Sequence, residues 1–263
     1  MKSPAKQRPK APPFELIDSP EKLRNFCDRL AGSEQIAIDT EFVGERAYRP
    51  ELELIQIADG KSLIGLVDVR ACPEPGPLKH ILTAPDIEKI IHAGGQDVPI
   101  LERYLRAIPG PFFDTQLAAA MVGLGSQVSY ANLVRDLLDL KVDKGHSVSE
   151  WSKRPFDKGQ LNYAAVDVLH LHPLRAKLGF LLKKKKRLDW FDDEQTKRTR
   201  QALEAGTPPS EDQLHTIVRE WGKLSGQKLA VLRELAIWRE QRAEKEDVPR
   251  RRILQDQILT RLA

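Results

Sequence analysis

Three short stretches of this chain carry residues able to do chemistry together. Asp39-Thr40-Glu41 closes a short apolar run, QIAIDTEF (35–42). In a strand the side chains alternate, so the carboxylates at 39 and 41 point to one side of the sheet. Two such groups repel unless a cation lies between them, and hard oxygen ligands suit Mg2+ or Mn2+ better than zinc. His92-Ala93-Gly94-Gly95-Gln96-Asp97 leads from a strand through glycines into a helix whose first turn carries Asp97, where the helix N-terminus favours an acid. Tyr163-Ala164-Ala165-Val166-Asp167 places a phenol and a carboxylate four residues apart on one helix face. On a metal site the carboxylate binds and the phenol orients a water. Singly, each stretch has a plain structural alternative: a solvated strand end, a capping acid, a surface pair and, for His92, a packed histidine. Only as a set do they point to metal-assisted chemistry.

The elements that must position these residues follow from the apolar pattern. Residues 14–30 carry a helical face, Leu23, Phe26, Cys27 and Leu30, with Asp18, Ser19 or Pro20 as the start signal. Strands are predicted at 35–42, 51–59 and 62–69, the last two forming a hairpin through Asp59-Gly60. A helix near 77–84, a strand over 87–93, a helix from Asp97 to Arg106 and a short strand at Phe112–Phe113 come next. From Thr115 to about Leu182 the pattern is mostly helical, so strands give way to helices. The expected fold is α/β, a mixed central sheet flanked by helices. Beyond Gly206-Thr207-Pro208-Pro209, residues 211–263 repeat apolar positions at helical spacing, as a small all-α module does.

Charge and composition narrow the function. No apolar run approaches the ~18–20 residues that cross a bilayer, and the N-terminal MKSPAKQRPKAPP lacks the apolar stretch of a signal peptide. Residues 1–13 are expected to be a disordered basic tail. The two cysteines, Cys27 and Cys72, are far apart and lack metal-ligand spacing, which fits a reducing cytoplasm. Residues 183–263 hold 19 Lys+Arg against 14 Asp+Glu, while the rest holds 23 against 24. A basic part beside a neutral body suits a polyanion such as nucleic acid, and is also what well-solvated helices look like.

Quoted together, DTEF (39–42), HAGGQD (92–97), FDTQ (113–116) and YAAVD (163–167) resemble the sequence blocks of the DEDD exonuclease superfamily. Within it the chain resembles the ribonuclease D family, in the subgroup with tyrosine in the third motif. HSVSEWSKRPFDKGQLNYAAVDVLHL (146–171), with Trp151 and Arg154-Pro155, is similar to that family throughout. The resemblance covers roughly residues 14–200, and residues 228–263 look like the core of a C-terminal HRDC module. That match is short, so the module is expected to be either compact or cut short at Ala263.

The resemblance implies a ribonuclease-H-like exonuclease fold over 14–182, a helical connector over 183–210 and an HRDC-like module over 211–263. It implies two divalent cations, Mg2+ or Mn2+, held by Asp39, Glu41, Asp97 and Asp167, with Tyr163 positioning the attacking water. Thr40, Phe42 and His92 are the candidates for contact with the terminal nucleotide. Asp114 is assigned a supporting or helix-capping role. The expected activity is 3′→5′ removal of nucleoside 5′-monophosphates from single-stranded RNA 3′ ends, with transfer RNA precursors as the default substrate and a monomer as the working form. A Werner-type DNA exonuclease would share the fold and ligands. An adaptor that had lost catalysis would lack ligands, and here all four acids and Tyr163 are present.

Overall fold

A computed structural model describes residues 13–44, 47–142 and 150–263. The expected tail and the beginning of the 146–171 block lie largely outside the described residues. Two units are distinguished by their contacts: Met1–Glu41 with Leu52–Leu203, and Phe42–Glu51 with Glu204–Ala263.

The first unit is built on six strands, β1 (Glu15–Ile17), β2 (Gln35–Val43), β3 (Glu51–Ala58), β4 (Ile64–Asp68), β5 (Glu88–Ile91) and β6 (Phe112–Asp114), in the order β1-β4-β3-β2-β5-β6. β3 and β4 pair antiparallel, while β2 with β5 and β5 with β6 run parallel. Ile36, Ala37 and Ile38 of β2 are all fully buried, as an interior strand covered on both faces requires. The predicted hairpin is present. Asp59 accepts hydrogen bonds from the backbone N–H groups of Lys61, Ser62 and Leu63, which sets the turn.

The helices are α1 (Pro20–Leu30), α2 (Pro77–Thr83), α3 (Asp97–Leu105), α4 (Thr115–Val122), α5 (Tyr130–Leu138), α6 (Lys158–Leu169), α7 (Leu171–Lys184) and α8 (Leu188–Gly206). α1 starts where Ser19 accepts from the Lys22 N–H and Pro20 fills the first turn. Its predicted face, Leu23, Phe26, Cys27 and Leu30, is buried on the sheet, each large side chain contributing about 1.5–3 kcal/mol. Phe26 lies so close to Gly65 that a Cβ there would be 2.3 Å from its ring. One difference lies at residues 15–17, which form β1, with Leu16 beside Leu66 and Ile17 beside Val67 in parallel register, instead of extending the helix. Three residues are too few to show strand alternation, so their apolar character merges with that of α1 in the sequence.

The second unit is helical apart from its 42–51 segment. Its helices are α9 (Gly226–Glu246), α10 (Arg250–Ile253) and α11 (Asp256–Leu262). Leu232 and Ala236 of α9 enclose a small core with Leu214, Val218 and Leu259. Residues 211–223 read as helix-periodic, but they form two short 3₁₀ turns, Glu211–Ile217 and Trp221–Lys223. Leu214 and Val218 imitate helical spacing, and the left-handed Glu220 (φ 67°) separates the turns. Tyr48 ties the 42–51 segment to α9: its hydroxyl meets Glu240 and its N–H donates to Asp247 at 3.1 Å. Arg250 also hydrogen-bonds Glu240 and lies 5.5 Å from the Tyr48 ring. Among the described residues no helix is long and apolar enough to cross a membrane.

Candidate active site

β2 delivers Asp39 and Glu41, the first residue of α3 delivers Asp97, and the last turn of α6 delivers Asp167 with Tyr163 one turn earlier. The structure brings these acids within electrostatic reach of one another. Burial raises the Asp39 carboxyl well above its ordinary value, with Asp167, Asp97 and Glu41 adding repulsion. Burial and the charges of Asp167 and Asp97 push Glu41 up to about 8. Burial likewise raises Asp167 to about 7 and Asp97 to about 6, against the opposing hydrogen bonds from Tyr163 and Thr40. Asp39, Glu41 and Asp167 keep part of their surface open to solvent.

No lysine or arginine among the described residues forms an ion pair with any of the four. Nor do three of these side chains converge, as they stand, into a closed metal-binding cluster among the described residues. Thr40 donates its hydroxyl to Asp97, and Tyr163 hydrogen-bonds Asp167. The donor set is nevertheless that of a hard divalent cation: oxygens only, negatively charged, partly accessible and, among the described residues, without a basic partner.

Two of the expected substrate contacts have structural partners. Thr40 is buried and bonded to Asp97. His92 Nδ1 lies 2.9 Å from Thr115 Oγ1, and its ring meets Tyr130 edge-on at 5.9 Å. Burial lowers the His92 pKa below its ordinary value. Phe42 follows Glu41 in β2 and is half-buried.

The turn that launches α3 explains the glycines of the second motif. Ala93 is left-handed at φ 60°, and a Cβ on Gly94 would lie 2.5 Å from the Ile91 side chain. Asp114 clamps this turn. Its carboxylate accepts from Ala93 N (3.0 Å), Gly94 N (3.1 Å) and, as the cap of α4, Gln116 N (2.8 Å) and Leu117 N (3.3 Å). Its own N–H donates to Gln195 of α8 at 2.9 Å. Of the two roles expected for it, support and helix capping, it fills both. Asp114→Ala is expected to lose about 1–3 kcal/mol of stability. It should also raise the metal concentration needed for half-maximal activity, because Asp97 hangs from the released turn. Denaturant melts and metal titrations on the same variant check both.

Sequence reading missed two supports. Tyr130 accepts from the His170 N–H (3.1 Å) and donates to Val166 O (2.8 Å), pinning the end of α6 on either side of Asp167. Arg154 anchors the segment before α6. Its Nε and Nη2 each lie 2.8 Å from the Asp68 carboxylate, Nη2 also reaches Glu53 at 3.1 Å, and Nη1 donates to Trp151 O at 2.6 Å. Trp151 in turn packs 6.5 Å from the Tyr163 ring. Neither role has a local signature, since every partner is distant in sequence.

A mixed sheet carrying two acids on an interior strand, joined by one acid at a helix start and one beside a tyrosine on a later helix, defines the ribonuclease-H-like exonuclease class. The sequence model of the 3′-5′ exonuclease family matches residues 14–183, and that of the HRDC domain matches residues 228–263. The chain belongs to the 3′-5′ exonuclease family, in its ribonuclease D branch. Ribonuclease D of Zymomonas mobilis is 39% identical over 254 residues, covering 94% of this chain and 63% of the relative. The crystal structure of Escherichia coli RNase D, an exoribonuclease involved in structured RNA processing, superposes with a TM-score of 0.89 at 30% identity, over 94% of this chain and 65% of that one. Brucella melitensis NrnC with bound Mg2+ superposes with a TM-score of 0.63 at 26% identity, over 73% of this chain and 92% of that one. The chain thus spans a little under two thirds of the ribonucleases D it matches.

Proposed function

We propose that this chain is a metal-dependent 3′→5′ exoribonuclease that releases nucleoside 5′-monophosphates from single-stranded RNA 3′ ends, with transfer RNA precursors as its expected substrates. The observation that carries this reading is the cluster of four acids on β2, α3 and α6, all raised by burial and, among the described residues, without a basic partner. Asp39, Glu41, Asp97 and Asp167 would hold two cations, Mg2+ or Mn2+. When bound, these supply the positive charge that activates a water and offsets the charge of the scissile phosphate.

The chain's own groups do the rest. The four carboxylates fix where that charge sits. Burial and the neighbouring carboxylates keep the Tyr163 hydroxyl protonated far above neutral pH. It is therefore a hydrogen-bond donor and acceptor able to orient a water. Phe42 offers a face for the terminal base, with Thr40 and His92 contributing from beside the acids. We assign residues 14–182 to the exonuclease domain, 183–210 to a connector and 211–263 to the HRDC-like module of a monomeric, cytoplasmic enzyme.

Tyr163→Phe should lower kcat by about 10²-fold, in the range of positioned acid–base groups, with RNA affinity nearly unchanged. Equal loss of both would make Tyr163 a binding or packing residue. The activity itself is tested by a time course on 5′-labelled RNA and matched single-stranded DNA with Mg2+, Mn2+ or EDTA. A metal-dependent ladder shortening from the 3′ end, faster on RNA, is the expected result. Faster loss of DNA would move the assignment to the Werner type, and binding without cleavage would make the chain an adaptor.

A further inference from the structure

The turn between α7 and α8 carries Lys183, Lys184, Lys185, Lys186 and Arg187 in succession. The four lysines are exposed, and none forms an ion pair among the described residues. Arg187 is held differently, donating to Met121 O and fixing the turn to α4. The turn is well defined: Leu182 and Phe191 are buried on either side of it, the Lys185, Lys186 and Arg187 N–H groups close back on α7, and Lys186 is left-handed at φ 54°. Two aromatic side chains flank the lysines. Phe180 is 67% exposed and Trp190 is 66% exposed, the two most exposed large apolar side chains among the described residues. Phe180 shares a helix face with Lys183 and Lys184, at i+3 and i+4. Trp190 is the third residue of α8, four positions beyond Lys186 in the sequence.

Unpaired cations between two open aromatic faces match a single-stranded polynucleotide: phosphates to the lysines, bases to the rings. Asp189, Asp192 and Asp193 follow in the first turns of α8, where the helix N-terminus already favours acids, and none of them pairs with a lysine among the described residues. We propose that this turn is a second contact surface for single-stranded RNA, gripping the strand several nucleotides upstream of the 3′ end held at the acids. The choice of RNA as the polyanion rests on the exoribonuclease reading above. α7 has 14 residues and rises ~1.5 Å per residue, so its end lies up to roughly 20 Å from His170, which adjoins the helix bearing Asp167. Short substrates cannot span that distance, and long ones can.

The test compares the full chain with Lys184→Gln/Lys185→Gln/Lys186→Gln and, separately, with Trp190→Ala and Trp190→Phe. Binding of a 5′-labelled oligoadenylate of about twenty nucleotides is read by anisotropy in EDTA across a salt series. Cleavage of the dinucleotide pApA with Mn2+ is read alongside it. Removing three lysine charges should weaken the long oligonucleotide at least about tenfold and flatten the salt slope by roughly 2, at about 0.7 per phosphate contact on a single strand. Trp190→Ala should lose about tenfold in the same assay and Trp190→Phe should restore most of it, since a stacking face is what is needed. Dinucleotide cleavage should stay within about twofold throughout.

Unchanged affinity for the long oligonucleotide in the lysine variant would overturn the proposal. So would equal losses on both substrates, which would place the turn in the catalytic cleft. Binding of the parent chain to phosphatidylserine vesicles in place of the oligonucleotide would assign the surface to anionic lipid and overturn it as well. If the parent chain bound the long oligonucleotide through these residues but cleaved nothing, the exoribonuclease reading would fail while this surface stood.

Discussion

Asp39→Asn is expected to reduce RNA cleavage about 10³-fold or more while raising the unfolding midpoint of the metal-free protein. The first effect follows because about 4 kcal/mol of transition-state stabilisation corresponds to about 10³ in rate, and a cation positioned on the scissile phosphate supplies several kcal/mol. Asp39 is within reach of the charges of all three other acids, so its loss disturbs whatever they hold together. The second effect follows from sign. Carboxyls whose folded-state pKa lies above the unfolded value bind protons more tightly when folded. Glu41 is raised to about 8 and Asp167 to about 7, with Asp39 raised too. In EDTA the parent protein should therefore lose stability as pH rises from about 4, the ordinary carboxyl range, through 8, and regain it on acidification. Asp39→Asn should flatten that slope, and Mn2+ should abolish it in the parent by taking the place of the protons. Thermal melts at several pH values, with EDTA or Mn2+, together with single-turnover cleavage, settle both points. Full activity in the variant would remove Asp39 from the site; an unchanged slope would mean that the acids do not strain one another.

Arg154→Met is expected to cost about 3–5 kcal/mol, as breaking a buried ion pair does when a charge is left behind. Glu53 is 1% exposed and Asp68 is 7% exposed. Arg154 meets both, while its guanidinium also lies 3.7 Å from the Phe156 ring. Methionine replaces the volume but leaves the Asp68 carboxylate without its bidentate partner and Glu53 with Arg70 alone. For a chain of this size that loss corresponds to roughly 6–20 °C in the melting midpoint. Adding Asp68→Asn to Arg154→Met should return part of the loss, and a double-mutant cycle measures how much belongs to the pair. A cost under about 1 kcal/mol would show that the network is dispensable. Because Arg154 also holds the chain just before α6, the single variant should cleave more slowly even where it remains folded.

The candidate site and the fold were legible in the sequence to different depths. Asp39, Glu41, Asp97, Tyr163 and Asp167 stand out as candidates because their spacing within each motif is local: alternation on a strand, the first turn of a helix, one turn along another. The strands and α1 could be read for the same reason, since a half-buried element writes its period into neighbouring residues. β1 could not, being too short to show a period, and the 3₁₀ turns after Ser210 were misread because Leu214 and Val218 fall at helical spacing without a continuous helix between them.

What the sequence could not show is which groups hold the motifs in place. Asp114 could be assigned a supporting or capping role, but not its partners: it fixes the turn before Asp97 through Ala93 and Gly94. Arg154 joins residues 86 and 101 positions away, and Tyr130 reaches the end of α6 across 36. The sequence by itself determined the chemistry on offer, because ligand types and short-range periodicity are properties of neighbouring residues. Only the tertiary structure decided that four separate acids lie within electrostatic reach of one another in one partly buried place, and which distant hydrogen bonds hold the elements that carry them.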